Sequence, residues 1–361
     1  MERTVMLRRH ALSDRRRGQG HQDGRLCSNP RFVSCASCFR GSIWFGVLLV
    51  PALALANTGA AFLKIPVGPR VVGMGEAAVA YIDDASALFY NPAGLANAPT
   101  YSALLSHNQW LLDMNHEYVA GAYGTEELGK FGLALDYWGS GSIQGINIRG
   151  ETIPGYMVSA ADWSLSLGYG RAVADFSFGL GLEFVHEQME SLSTSAVAFD
   201  VGAMYKTPLK GLKAGASVTD IGTKGKLYQE SYGLPWQARL GARYDYSIVG
   251  VAVDAIFSGE GLGTRSDSSA ESVMSPPVGI AAGVECRPVE LIALRVGYRT
   301  GSDYDGFSGL RAGLGLSWHG IGVDYAFAPY GRLGASHRIA VAYGASPVAE
   351  EEEESESSMR P

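Results

Sequence analysis

No stretch of this 361-residue chain is long and apolar enough to cross a bilayer as a helix. The longest apolar run, Ile43 to Ala56, is interrupted by Gly46 and Pro51 and falls short of the roughly 20 residues a spanning helix needs. Cysteine is scarce. Of four, Cys27, Cys35 and Cys38 precede residue 57, which leaves Cys286 alone and excludes an internal disulfide beyond that point. Charge is scarce too, at 18% of residues, whereas glycine numbers 47. A soluble α/β protein of this size carries more charge and less glycine; many short strands with Gly-rich turns account better for the balance. There is no Gly-x-Ser-x-Gly elbow, no phosphate loop and no paired-cysteine metal site outside the Arg-rich start, where Cys35 and Cys38 stand. His107, His116, His186, His319 and His337 are dispersed without metal-ligand spacing and read as rim or interfacial residues. We therefore expect no enzyme activity, no cofactor and no metal.

The run at 43–56 has the length of a secretory-signal core. Arg31 and Arg40 precede it, and Ala54-Leu55-Ala56 closes it with small residues at cleavage-site spacing. Residues 1–56 are expected to be a leader cleaved near Ala56, with the true translation start downstream of Met1. The leader holds nine of the 29 basic and three of the 36 acidic residues, so the remainder carries 20 and 33, a net charge of −13. That balance excludes nucleic acid as a partner. No cysteine follows the cleavage site, so no lipid anchor is expected there.

From about residue 100, apolar residues alternate with small or polar ones over roughly ten positions at a time. Phe176, Phe178, Leu180, Leu182 and Phe184 fall on one face of a strand, and Ser177, Gly179, Gly181 and Glu183 on the other. Fourteen such segments follow one another: 100–108, 116–125, 129–139, 162–171, 175–188, 196–206, 211–220, 236–246, 248–258, 277–286, 289–300, 307–318, 321–328 and 337–345. The connections between them alternate strictly, with one to four residues in one set and six to 22 in the other. Short turns at one rim and long loops at the other predict an all-β, membrane-spanning antiparallel up-and-down β-barrel of about 14 strands. Aromatics near segment ends, among them Tyr137, Trp138, Trp163, Trp236, Tyr244, Tyr246, Tyr298, Trp318 and Tyr343, suit the two membrane interfaces. The apolar faces then meet outer-membrane lipid, and an even strand count puts both termini on the periplasmic side. Residues 346–361, with Glu350 to Glu354 in a row, read as a disordered acidic tail.

The inward face carries charges of both signs: Asp136, Glu183, Asp200, Asp254, Glu285 and Asp324 against Arg239, Arg243, Arg295, Arg299 and Arg311. They read either as a selectivity lining or, in the reading we favour, as groups that pair with one another and with whatever fills the lumen. Residues 57–99 do not alternate and are too apolar for a free tail. They are expected inside the barrel or across its mouth as a plug or hatch. Asp84 is placed to cap a short helical turn over 85–90, Asn91-Pro92 to stop it, and Gly94 to allow a tight turn. The hatch and gating candidates are Arg70, Gly73, Met74, Gly75, Asp83, Asp84, Ser86, Asn91, Pro92 and Gly94.

Ala60-Ala61-Phe62-Leu63 and Arg70 through Ala77, then Asp83-Asp84-Ala85-Ser86-Ala87 and Tyr90-Asn91-Pro92-Ala93-Gly94-Leu95, resemble the N-terminal signature of the PorV/PorQ family. Val323 to Gly331, then Leu333-Gly334 and His337-Arg338-Ile339, match at the other end, so the resemblance covers nearly all of 57–345. The family is similar in turn to the FadL long-chain fatty-acid channels, fourteen-stranded barrels whose N-terminal hatch bears an Asn-Pro-Ala motif, the place Asn91-Pro92-Ala93 takes here. The PorV-like resemblance implies a part in type IX secretion, with secretion-system subunits or exported proteins bound through the long loops 140–161, 221–235 and 259–276. The first of these loops is unusually apolar, with Ile143, Ile146, Ile148, Ile153, Tyr156 and Met157. The FadL likeness implies the alternative, passive transport of hydrophobic small molecules gated by the hatch.

Overall fold

The computed structural model describes residues 59–111, 114–147, 149–227, 230–259, 278–300 and 309–344. The expected leader and its cleavage site, Ile148, most of the 259–276 loop and the acidic tail lie outside the described residues. Fourteen strands close into a barrel: β1 (Tyr101–Gln109), β2 (Asn115–Thr125), β3 (Gly129–Gly139), β6 (Ala160–Val173), β7 (Phe176–Met189), β8 (Leu192–Lys206), β9 (Leu212–Gly222), β12 (Gln237–Tyr246), β13 (Val249–Ser258), β14 (Val278–Val289), β15 (Ile292–Arg299), β16 (Leu310–Trp318), β17 (Ile321–Pro329) and β18 (Ala335–Tyr343). Each pairs antiparallel with its neighbours in the chain, and β1 pairs with β18 from Ala103↔Tyr343 to Gln109↔His337 to close the ring. All fourteen expected segments are strands.

The period-two pattern is what makes closure work. β1 alternates strictly between exposed and buried residues. The outward set around the ring is apolar, as at Leu105, Leu133, Leu180, Leu240 and Val296, all more than half exposed. So wide an apolar belt suits hydrocarbon and not water, and closure leaves no strand edge unpaired inside a bilayer. Aromatics ring the short-turn rim, where Tyr101 meets Tyr123, Phe131 meets Tyr169 and Phe176 meets Tyr205 at centroid distances of 5.0, 4.9 and 4.5 Å.

Several expectations are corrected. The 140–161 and 221–235 loops contain hairpins of their own, β4–β5 (Ile143–Ile146, Thr152–Val158) and β10–β11 (Gly225–Leu227, Glu230–Tyr232). Loop length does not segregate strictly, because pairing of β7 with β8 continues to Met189↔Leu192 and leaves a two-residue turn at the long-loop rim. Trp138 is not an interfacial aromatic. It follows outward Tyr137 and so points inward, where it packs on a cluster containing Phe62 and Leu63. His116 is no rim residue either: it is 2% exposed and lies 2.6 Å from Asp136.

The hydrophobic core lies within the lumen. Residues from 59 onward start at the long-loop rim, where Gly59 N donates to Gly233 O, and run through the barrel to join β1 at the opposite rim. They form α1 (Pro69–Gly73) and α2 (Ala87–Tyr90) with 3-10 turns at Ala61–Lys64 and Pro92–Asn97. Val67, Val71, Met74, Ile82, Leu88 and Leu95 are at most 3% exposed and pack on small inward residues such as Ala120, Ala134, Ala252 and Ala281. The wall supplies small residues and the threaded segment supplies the large ones, which is how a barrel this wide is filled.

Candidate functional site in the lumen

The threaded segment is held to itself and to the wall by distinct sets of contacts. Within it, Arg70 Nη1 lies 2.6 Å from Asp83 Oδ1 and 3.2 Å from Asp84 Oδ2, tying α1 to the approach to α2. Burial works to raise the pKa of Asp83, but the charge and hydrogen bond of the Arg70 guanidinium, with Lys213 and Arg243 beyond it, together outweigh burial and hold the carboxyl below its ordinary value. Asp84 Oδ1 accepts from Ser86 N at 2.8 Å, an Asx-type turn, so the helix begins at Ala87 rather than at Ala85.

Asn91 does more than stop that helix. Its side-chain oxygen accepts from Ala93 N at 3.1 Å and caps the turn opened by Pro92. Its amide nitrogen donates to Val79 O at 2.7 Å and to Ala203 O on β8 at 3.3 Å. Gly94 serves close approach rather than the expected tight turn: a Cβ there would collide with the Ile82 carbonyl. The Gly73-Met74-Gly75 run lies against wall glycines, Gly73 on Gly313 and the Met74 backbone on Gly283. Gly75 adopts φ +68 and passes so near the backbones of Ala282 and Tyr298 that no side chain fits. Inward glycines that read as polar lining in the sequence are therefore the groove in which the segment lies.

The inward charges divide. Glu285 accepts from Arg295 at 2.6 Å, Arg243 at 2.9 Å and Arg287 at 3.2 Å, and Arg295 goes on to Asp324. Asp254 accepts from the backbone N–H groups of Ala78 and Val79 at 2.7 and 2.9 Å. Arg299 pairs with Glu76, whose carbonyl accepts from Arg239 at 3.2 Å. Arg239 also lies 5.3 Å from the Tyr90 ring centre, and Arg311 lies 4.9 Å from that of Tyr330. Glu183 and Asp200 stand apart with Asp220 on β7, β8 and β9. Sequence reasoning missed Glu76, Asp220 and Arg338. Glu76 sits in a segment with no periodicity, Asp220 meets Asp200 and Glu183 through the shifted pairing of the adjacent strands β8 and β9, and Arg338 comes to lie 5.2 Å from the Trp110 ring centre only through closure of β18 on β1.

The segment separates two vestibules. On the long-loop side is a cavity of about 550 Å³, lined by Phe62, Ile65, Trp110, Trp138 and Tyr330 together with Lys64, Arg299 and Arg311. Burial, and then the neighbouring Arg299, push the Lys64 ammonium below its ordinary pKa. On the short-turn side a polar space of about 950 Å³ is bounded by Tyr81, Asp83, Lys130, Lys206 and Lys213. Lys130 Nζ donates to Ala98 O at its edge.

A closed antiparallel barrel with an even strand count and an apolar belt is the architecture of an outer-membrane β-barrel. Among solved structures, the fold is similar to the toluene transporter TodX of P. putida, with 12% identity and a TM-score of 0.52 over 77% of this chain and 97% of that one. It is also similar to the toluene transporter TbuX of Ralstonia pickettii, with 13% identity and a TM-score of 0.51 over 76% and 96%. At such identities the likeness is one of fold alone: the closed fourteen-stranded antiparallel barrel expected from the sequence. No protein-family model matches the chain, and no curated protein matches its sequence.

Proposed function

We propose that this chain is a passive outer-membrane channel for small hydrophobic molecules, with residues 59–99 as its hatch. The cavity on the long-loop side carries the reading. Two tryptophans, a tyrosine and Phe62 offer an apolar wall, and Lys64, Arg299 and Arg311 set cationic groups beside it. This combination suits an apolar molecule with an anionic end, held by burial of its body and oriented by charge. Onward passage requires movement of the hatch, and with it release of the bonds that Asp254, Ser217, Arg239 and Arg299 of the wall make to the segment. Transporters of a monoaromatic hydrocarbon share the fold, which supports the substrate class without defining the ligand.

The test is saturable binding to the purified full-length protein, followed by tryptophan quenching with a brominated fatty acid and, separately, by retention of toluene. Saturable quenching that weakens in Trp138→Ala supports the channel reading. Quenching that is unsaturable, or indifferent to Trp138 and Trp110 alike, sinks it.

A second reading follows the PorV/PorQ resemblance and its implied role in type IX secretion. It is favoured by the β4–β5 hairpin, which stands at the long-loop rim with Ile143, Ile146, Tyr156 and Met157 between 46% and 65% exposed. Such a patch outside the hydrocarbon belt suits a protein partner. Recovery of secretion subunits, or of exported proteins sharing a C-terminal sorting domain, with gently solubilised native protein would put this reading ahead of transport.

A further inference from the structure

Behind α2, the lumen holds a small cavity of about 10 Å³. That is room for one occupant the size of a water molecule or a single ion. Glu183 on β7, Asp200 on β8 and Asp220 on β9 all line it, and one carboxylate oxygen from each lies within 4.8 Å of the other two. All three residues are at most 7% exposed. Among the described residues no Lys, Arg or His forms an ion pair with them. Their hydrogen bonds come from neutral donors: Ser166 Oγ to Glu183 at 3.3 Å, Asp220 N to Asp200 at 2.8 Å and Thr219 Oγ1 to Asp220 at 3.0 Å.

Further oxygens belong to the same cavity. Among the described residues, Asp136 Oδ2, the Tyr118 hydroxyl and Ser164 Oγ have no hydrogen-bond partner, although all three residues are at most 3% exposed and line this space. Asp136 uses its other oxygen on His116. A buried carboxylate triad with unmet oxygens beside it is a costly arrangement unless positive charge joins it.

The backbone is bent to create the cluster. Pairing of β8 with β9 slips its register between Phe199 and Val201, and Asp220 sits at φ +62, a conformation disfavoured for a residue with a Cβ. Regular pairing would not place three acidic side chains of adjacent strands on one point.

We propose that Glu183, Asp200 and Asp220 form a divalent-cation site, with Asp136 and Tyr118 completing its oxygen shell, and that calcium is the ion it fits. The donors are all oxygen, which selects a hard cation over zinc or copper. Calcium accepts six to eight oxygens in a flexible shell, which suits acidic groups brought from several strands, whereas magnesium demands a near-ideal octahedron and keeps several waters, for which so small a cavity has no room. The ion would pin three adjacent wall strands together directly behind Leu88 and Phe89 of α2, which line the same cavity, and so stiffen the seat of the threaded segment. The site stands whether or not the channel carries hydrophobic molecules.

The experiment uses the full-length protein in detergent, stripped with a chelator and titrated with terbium, whose luminescence Tyr118 would sensitise, and then with calcium as competitor. Metal content of the untreated protein is measured in parallel by mass spectrometry. One saturable, calcium-displaceable site is expected, weakened at least about tenfold in Glu183→Gln and in Asp200→Asn, together with a calcium-dependent rise in unfolding temperature that both variants lose. The variants remove charge and add no bulk, so loss of folding in one leaves the other to decide. The proposal is overturned if calcium changes neither luminescence nor unfolding temperature. It is equally overturned if the variants bind as the parent does, or if they are more stable than the parent without calcium while the parent ignores the ion, since the carboxyls would then be holding protons.

Discussion

Asn91 and Gly202 fit one another: the side-chain amide oxygen of Asn91 occupies the place where a Cβ on Gly202 would stand. A polar side chain of the threaded segment is thus received by a strand of the wall that has given up its own side chain. Nearby, the same Asn91 donates to Ala203 O and Val79 O. The seat of the threaded segment is specified from both sides of the contact.

Gly202→Ala should therefore unseat the segment while leaving the outer face of β8 untouched. In planar bilayers we expect the parent to conduct poorly and the variant to show long-lived open events. Equal conductance in the two proteins would mean that the segment is not held at this point.

Asn91→Ala removes one cap and two donated bonds from buried surroundings. The expected cost is about 1–3 kcal/mol, which should speed amide hydrogen exchange over residues 79–97 by about 10- to 100-fold. Exchange in β1–β3 should not change, and uniform acceleration throughout the barrel would contradict a local role.

Glu285 holds three arginines, so Glu285→Gln leaves buried cations short of an anion. A loss of about 3–5 kcal/mol in stability is expected, read from urea unfolding in lipid vesicles. Adding Arg287→Met should recover part of it, because among the described residues that guanidinium forms no other ion pair, whereas Arg243 and Arg295 keep Asp245 and Asp324. A double variant no better than the single would place the energy elsewhere in the network.

Leu180 is 61% exposed in the middle of β7 and should face hydrocarbon. Leu180→Arg is expected to cost about 2–4 kcal/mol when folding into vesicles, and a rim substitution such as Leu192→Arg less. Indifference at both positions would argue against the membrane belt.

The Arg70–Asp83 link should be sensitive to acid. The folded pKa of Asp83 is depressed, so its contribution is present above the unfolded value near 3.8 and is lost as pH falls through the lower folded value. Limited proteolysis of residues 59–99 should accelerate in that acid window. Arg70→Gln should be cleaved readily at neutral pH and show little further change on acidification; a parent-like acid response in that variant would show that the link is not what acid breaks.

The positions of the fourteen wall strands were legible because strand geometry has a short period. Each run of alternating residues such as Phe176 to Phe184 states its two faces without help from any distant part of the chain. The departure of residues 57–99 from that period was just as visible, as were Asn91 and Pro92 at the end of α2. The same local logic failed where alternation ran past the membrane, which hid the tight turn between β7 and β8 and the hairpins within two long loops. It also misplaced Trp138 and His116, since a residue near a strand end looks interfacial whichever way it points.

What the chain order alone determined is therefore the wall: how many strands, which face meets lipid, and which segment is not strand. What only the tertiary structure decided is the contents of the lumen. Whether Glu76 meets Arg299 and whether Asn91 finds the gap at Gly202 depend on how the closed ring receives the threaded segment, and whether Glu183, Asp200 and Asp220 converge on one point depends on the stagger between adjacent strands. Those contacts join residues far apart in sequence, and no local pattern of residue types encodes a distance across a barrel.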